Sequence, residues 1–314
     1  MKLFTHRCSE ALQALYGPEE IRSLCRLLLK RLGGLSDTDV YGGKDITIPA
    51  ECRCRLESAL ERLRQSEPIQ YVLGEEDFYG RRFRMQAPVL IPRPETEELA
   101  AWILETCRPG GVSPSQPVHW LDVGTGSGCL AVTLALECPS ARVEAWDVLP
   151  EALALARQNA LELGARVCVR RQDLFRAADG FFRTDPGVET ADGLGRETEN
   201  GSEWTPGGPW NVIVSNPPYV CQSESAQMRQ NVLGYESPLA LFVPDDDPLR
   251  YYRALSRLGR HRLCSGGSLF VEINQRFGRE VTELFLADGY GNVELRQDLF
   301  GRDRMVRAVN PKTL

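Results

Sequence analysis

The 314-residue sequence has no apolar run near the roughly 18 consecutive residues that a membrane-spanning helix needs, so a soluble chain with no membrane partner is expected. It has no basic excess either: 37 Lys and Arg stand against 43 Asp and Glu, a formal charge of −6. Non-specific attraction to phosphate requires the opposite balance, so no direct nucleic-acid partner is expected. The stretch Met1-Lys2-Leu3-Phe4-Thr5-His6-Arg7 lacks the apolar core and small-residue cleavage site of a secretory signal, which points to the cytoplasm. A mitochondrial presequence, compatible with one Lys, one Arg and a first acid only at Glu10, is the alternative. Of the ten cysteines, the only close pair is Cys52-Arg53-Cys54, which has neither zinc nor redox spacing. Reduced thiols are expected, with Cys129, Cys168 and Cys264 as small core residues and no metal site.

With 42% hydrophobic and 25% charged residues, the chain has the composition of a globular enzyme and the length of two domains. Nothing in it points to an obligate dimer, and a monomer is expected. From Leu3 to Leu63 apolar residues recur at helical spacing (Ile21, Leu24, Cys25, Leu28 and Leu32, for example), which predicts a helical domain over 1–66 with breaks at Gly33-Gly34 and Gly42-Gly43. Between Ile69 and Ile91 aromatic and β-branched residues flank a Tyr79-Gly80 turn, so 67–92 is expected to be a β-hairpin connector. Glu95–Cys107 reads as a helix and 108–117 as a linker.

From Val118 onward strands and helices alternate: Val118–Val123, Cys129–Glu137, Arg142–Asp147, Pro150–Leu163 and Arg166–Arg171, then Trp210–Ser215, Pro248–Leu263, Ser268–Ile273, Gly278–Ala287, Val293–Gln297 and Met305–Val309. That alternation predicts an α/β domain over 93–314 whose mostly parallel, Rossmann-like sheet is covered on both faces. One segment breaks the rhythm. Residues 177–209 hold seven Gly, three Pro and seven acids against two Arg, and read as an acidic insertion, either a lid or partner-binding loop or simply a tolerated one.

Four features carry chemistry. Asp122-Val123-Gly124-Thr125-Gly126-Ser127-Gly128 lies between a predicted strand and helix, where glycines let the backbone turn sharply and approach a ligand; alone, such a loop also fits a dinucleotide enzyme. Asp147 ends the next strand, where a carboxylate can accept from ribose hydroxyls, or can cap the helix that starts at Pro150. Asp173 ends the strand after that, followed by Leu174, as an acid facing an adenine amino group with an apolar neighbour against the ring, or as a surface loop acid.

The fourth is Asn216-Pro217-Pro218-Tyr219, at the carboxyl end of Val212–Ser215. Two prolines stiffen the backbone and leave its carbonyls free to accept. An amide or aromatic-amine nitrogen is a poor nucleophile, because its lone pair is delocalised. If Asn216 and the Pro217 carbonyl each accept one of its N–H groups, its lone-pair direction is fixed and charge growing on nitrogen is stabilised. Tyr219 would pack on the planar target, and no general base is required before transfer. The glycine loop resembles the glycine-rich motif of class I S-adenosylmethionine methyltransferases more than a nicotinamide fingerprint, and with the tetrapeptide that resemblance implies such an enzyme, with Asn216 also bordering the cofactor.

The chain further resembles the release-factor glutamine methyltransferases, PrmC/HemK, over nearly its whole length. The resemblance is carried by Glu67-Pro-Ile-Gln-Tyr-Val-Leu-Gly74, Phe78-Tyr-Gly80, Ile91-Pro-Arg93-Pro-Glu95-Thr-Glu97, the glycine loop, Asn216-Pro-Pro-Tyr219 and Asp298-Leu-Phe-Gly-Arg302-Asp-Arg304. It implies N5-methylation of the glutamine in the Gly-Gly-Gln loop of class I release factors. It also implies a helical substrate-recognition domain, S-adenosylmethionine over Gly124–Gly128 with Asp147 on its ribose, and Asn216, Pro217, Pro218 and Tyr219 around the glutamine. Arg93, Pro94 and Glu95 are expected to line the cleft; Glu97 is either there or a solvated first-turn acid. The insertion departs from the compact family pattern. A DNA adenine-N6 methyltransferase poses the same chemical problem but should carry a basic face, and a non-catalytic cofactor-binding protein is the remaining rival.

Overall fold

The computed structural model describes residues 1–42, 46–107, 118–181 and 209–311. The linker expected at 108–117, Gly43 and residues 182–208 of the expected insertion lie outside the described residues, while Ala177 and Ala178 close the short helix Leu174–Ala178.

The amino-terminal part is built from helices Lys2–Leu12, Pro18–Arg31, Asp37–Tyr41 and Ala50–Arg64. Their apolar stripes close on one cluster that includes Cys8, Leu12, Leu28, Leu56 and Leu63, the burial that makes short helices stable. The helix Asp37–Tyr41 has a Ser36/Asp39 capping box. The connector is narrower than its sequence suggests. Ile69–Leu73 is a helical turn that buries Tyr71 and Val72 and ends at Gly74 with φ 74°. The hairpin itself is β1 (Glu75–Phe78) against β2 (Arg81–Arg84). Tyr79 and Gly80 have φ 49° and 73°, the two positive values of a tight hairpin turn whose twist matches its strands. The Tyr79 N–H donates to Glu97 at 2.9 Å, so Glu97 fixes this turn to helix Pro94–Cys107 and is neither a cleft residue nor merely solvated.

The remaining strands are β3 (Val118–Val123), β4 (Ala141–Asp147), β5 (Val167–Arg171), β6 (Trp210–Ser215), β7 (Val220–Cys221), β8 (Phe242–Val243), β9 (Leu263–Glu272), β10 (Gly291–Gln297) and β11 (Asp303–Val309). Among the described residues, seven form one sheet in the order β10-β11-β9-β6-β3-β4-β5. Pairs from β9 to β5 are parallel, and β11 joins β9 and β10 antiparallel, so the sheet is mixed. Helices Pro94–Cys107, Cys129–Glu137 and Pro150–Leu163 share a core with one face; Arg250–Arg262 and Gly278–Ala287 share one with the other. The small parallel pair β7–β8 follows no periodicity in the sequence. All ten cysteines are free thiols; Cys129 and Cys168 are buried, and Cys264 is half-buried. No helix among the described residues is long and apolar enough to cross a membrane.

The chain order reverses between β3 and β6: β4 and β5 extend the sheet to one side of β3, and β6 lies on the other. Loops leaving the carboxyl ends of these two strands diverge and leave a crevice, the usual ligand position in open α/β sheets.

Candidate active site

A cleft of about 670 Å³ opens at that switch point. Its floor is the glycine loop between β3 and helix Cys129–Glu137. The N–H groups of Gly124 and Thr125 donate to the Trp146 carbonyl at 2.8 and 2.9 Å, tying the loop to β4. Gly124, Gly126 and Gly128 have φ 75°, 56° and 79°. A Cβ on Gly124 would meet no protein atom within 4 Å, and Gly124 lines the cleft, so that space is open to a ligand. Asp122 is buried and accepts from Thr125 Oγ1 at 2.7 Å; burial, reinforced by the Asp147 charge, raises its carboxyl to about 7.

Asp147 does not cap helix Pro150–Leu163, whose N-cap is Leu149 without a side-chain hydrogen bond. It accepts from the N–H groups of Val148 and Leu149 at 2.8 and 3.0 Å, in the turn before that helix, and from Gly126 N–H at 3.0 Å, and it lines the cleft. Burial raises its pKa, against those three donors. Asp173 is the N-cap of Leu174–Ala178, accepting from Phe175 and Arg176 N–H, and borders the cleft with Leu174 and Phe175. The Phe175 ring lies 5.1 Å from that of Tyr251, with the Arg250 guanidinium 4.8 Å above it. All three line the cleft, and helix Arg250–Arg262 supplies two of them without any sequence signal.

At the other end Asn216 follows β6. Its Nδ2 donates to Thr96 Oγ1 at 3.0 Å, Thr96 donates to Glu272 Oε2 at 2.8 Å, and the Tyr219 hydroxyl donates to Glu272 Oε1 at 3.0 Å. Neither Asn216 Oδ1 nor the Pro217 carbonyl accepts a hydrogen bond among the described residues, and Asn216, Pro217 and Pro218 line the cleft. Glu272 is buried at the end of β9, and burial raises its carboxyl to about 7. Asn274 secures the chain beyond: its Nδ2 donates to the Tyr219 carbonyl at 3.2 Å and to Glu224 at 3.0 Å.

Four residues expected at the cleft stand outside its lining. Tyr219 does not line the cleft: its ring packs on the core beneath β6 and β9, and its hydroxyl is held by Glu272. Arg93, Pro94 and Glu95 do not line it either, whereas their neighbours Pro92 and Thr96 do. Arg93 is drawn instead to Glu236, its Nη2 2.7 and 2.9 Å from the two oxygens of a carboxylate whose side chain is 1% exposed. Glu95 lies near enough to Glu272 and Arg304 to act on both electrostatically.

Arg93→Met is therefore expected to cost about 3 kcal/mol of unfolding free energy, because it leaves a buried carboxylate without its partner. Burial already holds Glu236 above the usual carboxylate range, and losing Arg93 raises it further. A folded-state pKa above the unfolded one means that stability holds at acidic pH and falls as pH climbs past the unfolded value. Urea melts across pH check this; Arg93→Met/Glu236→Gln should remove the pH dependence that Arg93→Met adds, while that of the buried Asp122 and Glu272 carboxyls stays.

The family model described as the PrmC N-terminal domain matches residues 5–74, and the one described as the methyltransferase small domain matches residues 113–183. The chain is 42% identical to the release factor glutamine methyltransferase of Bacteroides thetaiotaomicron, over 98% of this chain and 99% of that one. Its identity to the relative of the same name from Flavobacterium psychrophilum is 35%, over 95% of each. The chain belongs to the release factor glutamine methyltransferase family. Among solved structures, the hMettl16 catalytic domain, crystallised with the MAT2A 3'UTR hairpin 6, aligns over 87% of this chain and 86% of its own with a TM-score of 0.51. At 12% identity it is a likeness of fold alone.

In this methyltransferase the residues around Asn216 and Tyr219 that sequence reasoning missed are Thr96, Glu272 and Asn274. A signal for one of them exists: Glu272 interrupts the otherwise apolar run Leu269-Phe-Val-Glu-Ile273, and an acid inside a strand that is covered on both faces needs partners. Thr96 stands between two acids in a segment whose charges attract more notice, and only the fold brings it to Asn216.

Proposed function

We propose that this chain transfers a methyl group from S-adenosylmethionine to the side-chain amide nitrogen, N5, of the glutamine in the Gly-Gly-Gln loop of class I release factors. The observation that carries this reading is the pair of unengaged acceptors, Asn216 Oδ1 and the Pro217 carbonyl, at the end of a cleft whose other end is a glycine loop with acids at the ends of β4 and β5. The residues present fit the cofactor: Gly124 leaves open space, Asp147 and Asp173 offer carboxylate oxygens to hydroxyl and amino donors, and Leu174 and Phe175 offer an apolar wall. When bound, the cofactor would supply a methyl group on a sulfonium sulfur, which an aligned nitrogen can take in line as the C–S bond breaks and the sulfur leaves as a neutral thioether.

The chain's own residues then do the positioning. Asn216 Oδ1 and the Pro217 carbonyl each accept one N–H of the target amide, so that the nitrogen lone-pair direction points along the cleft. As the N–C bond forms, positive charge grows on nitrogen, and the same two oxygens stabilise it because they are already oriented. The nitrogen loses a proton only after it is alkylated, when it has become acidic, so no side chain need act as a base beforehand. Pro217 and Pro218 limit relaxation of the loop. Tyr219 supports it from below through Glu272. The helical region over 1–66 is assigned to recognition of the release factor, consistent with the family model that matches there.

Mass spectrometry of the Gly-Gly-Gln peptide, after incubation of a release factor with enzyme and cofactor, should show one added methyl on the glutamine. Transfer to duplex DNA and none to the release factor would replace this reading with an adenine-N6 methyltransferase. Cofactor binding with transfer to neither would leave a non-catalytic binder.

A further inference from the structure

Asn216 can hold the target amide only if its carboxamide is the right way round. Its two ends are nearly the same shape, and half a turn about the last bond would present NH₂ where an acceptor is needed. We propose that Thr96 and Glu272 are positioning residues that impose this orientation through a one-way hydrogen-bond relay. The inference rests on the reading of Asn216 as the holder of the acceptor nitrogen.

The direction of the relay follows from counting protons. Ionised Glu272 has only lone pairs, so both hydroxyls beside it must donate: Tyr219 to Oε1 at 3.0 Å and Thr96 to Oε2 at 2.8 Å. Thr96 has one hydroxyl proton, and Glu272 takes it. Its remaining lone pairs face Asn216 at 3.0 Å, and only the NH₂ end of the carboxamide can meet them. Oδ1 is thereby left for the cleft. Arg304, which pairs with Asp298 at 3.2 Å, lies near enough to Glu272 to favour its charged form.

The three parts come from distant segments: Thr96 from the first turn of helix Pro94–Cys107, Glu272 from the end of β9, and Asn216 from the loop after β6. Thr96 is 3% exposed and Glu272 1%, so water does not compete readily for either group. Without an acceptor at Glu272, the Thr96 proton could turn to Asn216, the carboxamide could rotate, and its NH₂ would meet the NH₂ of the target.

The test compares Thr96→Val, Thr96→Ala and Thr96→Ser in the full chain at about pH 8.5, above the value of about 7 to which burial raises Glu272. Three quantities are measured: single-turnover methyl transfer to a release factor, cofactor Kd, and solvent exchange of the Asn216 carboxamide protons by NMR, assigned by their loss in Asn216→Asp. Val and Ala should each slow transfer about 30-fold and speed carboxamide exchange, with cofactor Kd within about twofold of wild type. Ser keeps the hydroxyl but loses a buried methyl group; it should lower Tm yet hold transfer within about threefold. A purely structural role for Thr96 would make activity follow Tm instead. Transfer by the Val and Ala variants at the wild-type rate, equal losses in all three variants, or unchanged carboxamide exchange would each overturn the relay. Absence of methyl transfer by the wild-type chain would overturn the functional reading, while the exchange comparison would still decide the orientation of Asn216.

Discussion

Asn216→Ala is expected to lower kcat about 100-fold, the usual cost of deleting one preoriented group that stabilises transition-state charge. Cofactor affinity should stay within about threefold, because the Asn216 side chain is tied to Thr96 and presents Oδ1 as its remaining acceptor. The Pro217 carbonyl remains in the variant, but one acceptor leaves the target amide free to rotate, so orientation is lost together with charge stabilisation. Single-turnover transfer with saturating cofactor measures the first quantity and calorimetric titration the second. A variant that lost cofactor binding in proportion to kcat would move Asn216 to the nucleoside and undo the assignment.

The second large effect separates two glycines of one loop. Gly124 and Gly128 both have positive φ, so alanine is strained at either, by about 1–2 kcal/mol. Their surroundings differ. A Cβ on Gly128 would come within 3.0 Å of Ala156 Cα, backbone of helix Pro150–Leu163. Gly128→Ala must therefore push that helix away and is expected to lose a total of about 3 kcal/mol of stability. A Cβ on Gly124 meets no protein atom, but it projects into space that the cofactor is assigned to fill. Gly124→Ala should lose less stability and raise cofactor Kd about tenfold or more. Denaturant melts and calorimetry on both variants check the contrast; equal stability losses, with cofactor affinity unchanged in Gly124→Ala, would contradict it.

Much of this architecture was legible in the chain itself. Val118–Val123, Cys129–Glu137, Pro150–Leu163, Trp210–Ser215 and Gly278–Ala287 have the bounds that hydrophobic periodicity predicts, since each element buries a continuous apolar face between clear breaks. The Tyr79-Gly80 turn was legible because a two-residue hairpin needs positive φ at both positions. By contrast, the turn of helix at Ile69–Leu73 was hidden: five residues carry no helical period, and its apolar side chains resemble those of a strand. The mixed edge of the sheet was hidden for a related reason, because the pattern within a strand does not state the direction of its neighbour.

The same division runs through the site. By itself the sequence determined the chemistry: a glycine loop after one strand, acids ending the next two, and Asn216-Pro217-Pro218-Tyr219 after the fourth, because these depend on residue type and on position relative to a strand end. Only the tertiary structure decided the geometry. It placed Arg93 on a buried Glu236 and turned Tyr219 to Glu272. It also brought Thr96 between Asn216 and an acid that lies 176 residues from it in the chain. Hydrogen-bond direction depends on which donors and acceptors meet when water is excluded, and that is settled by packing between distant segments, where no local spacing records it.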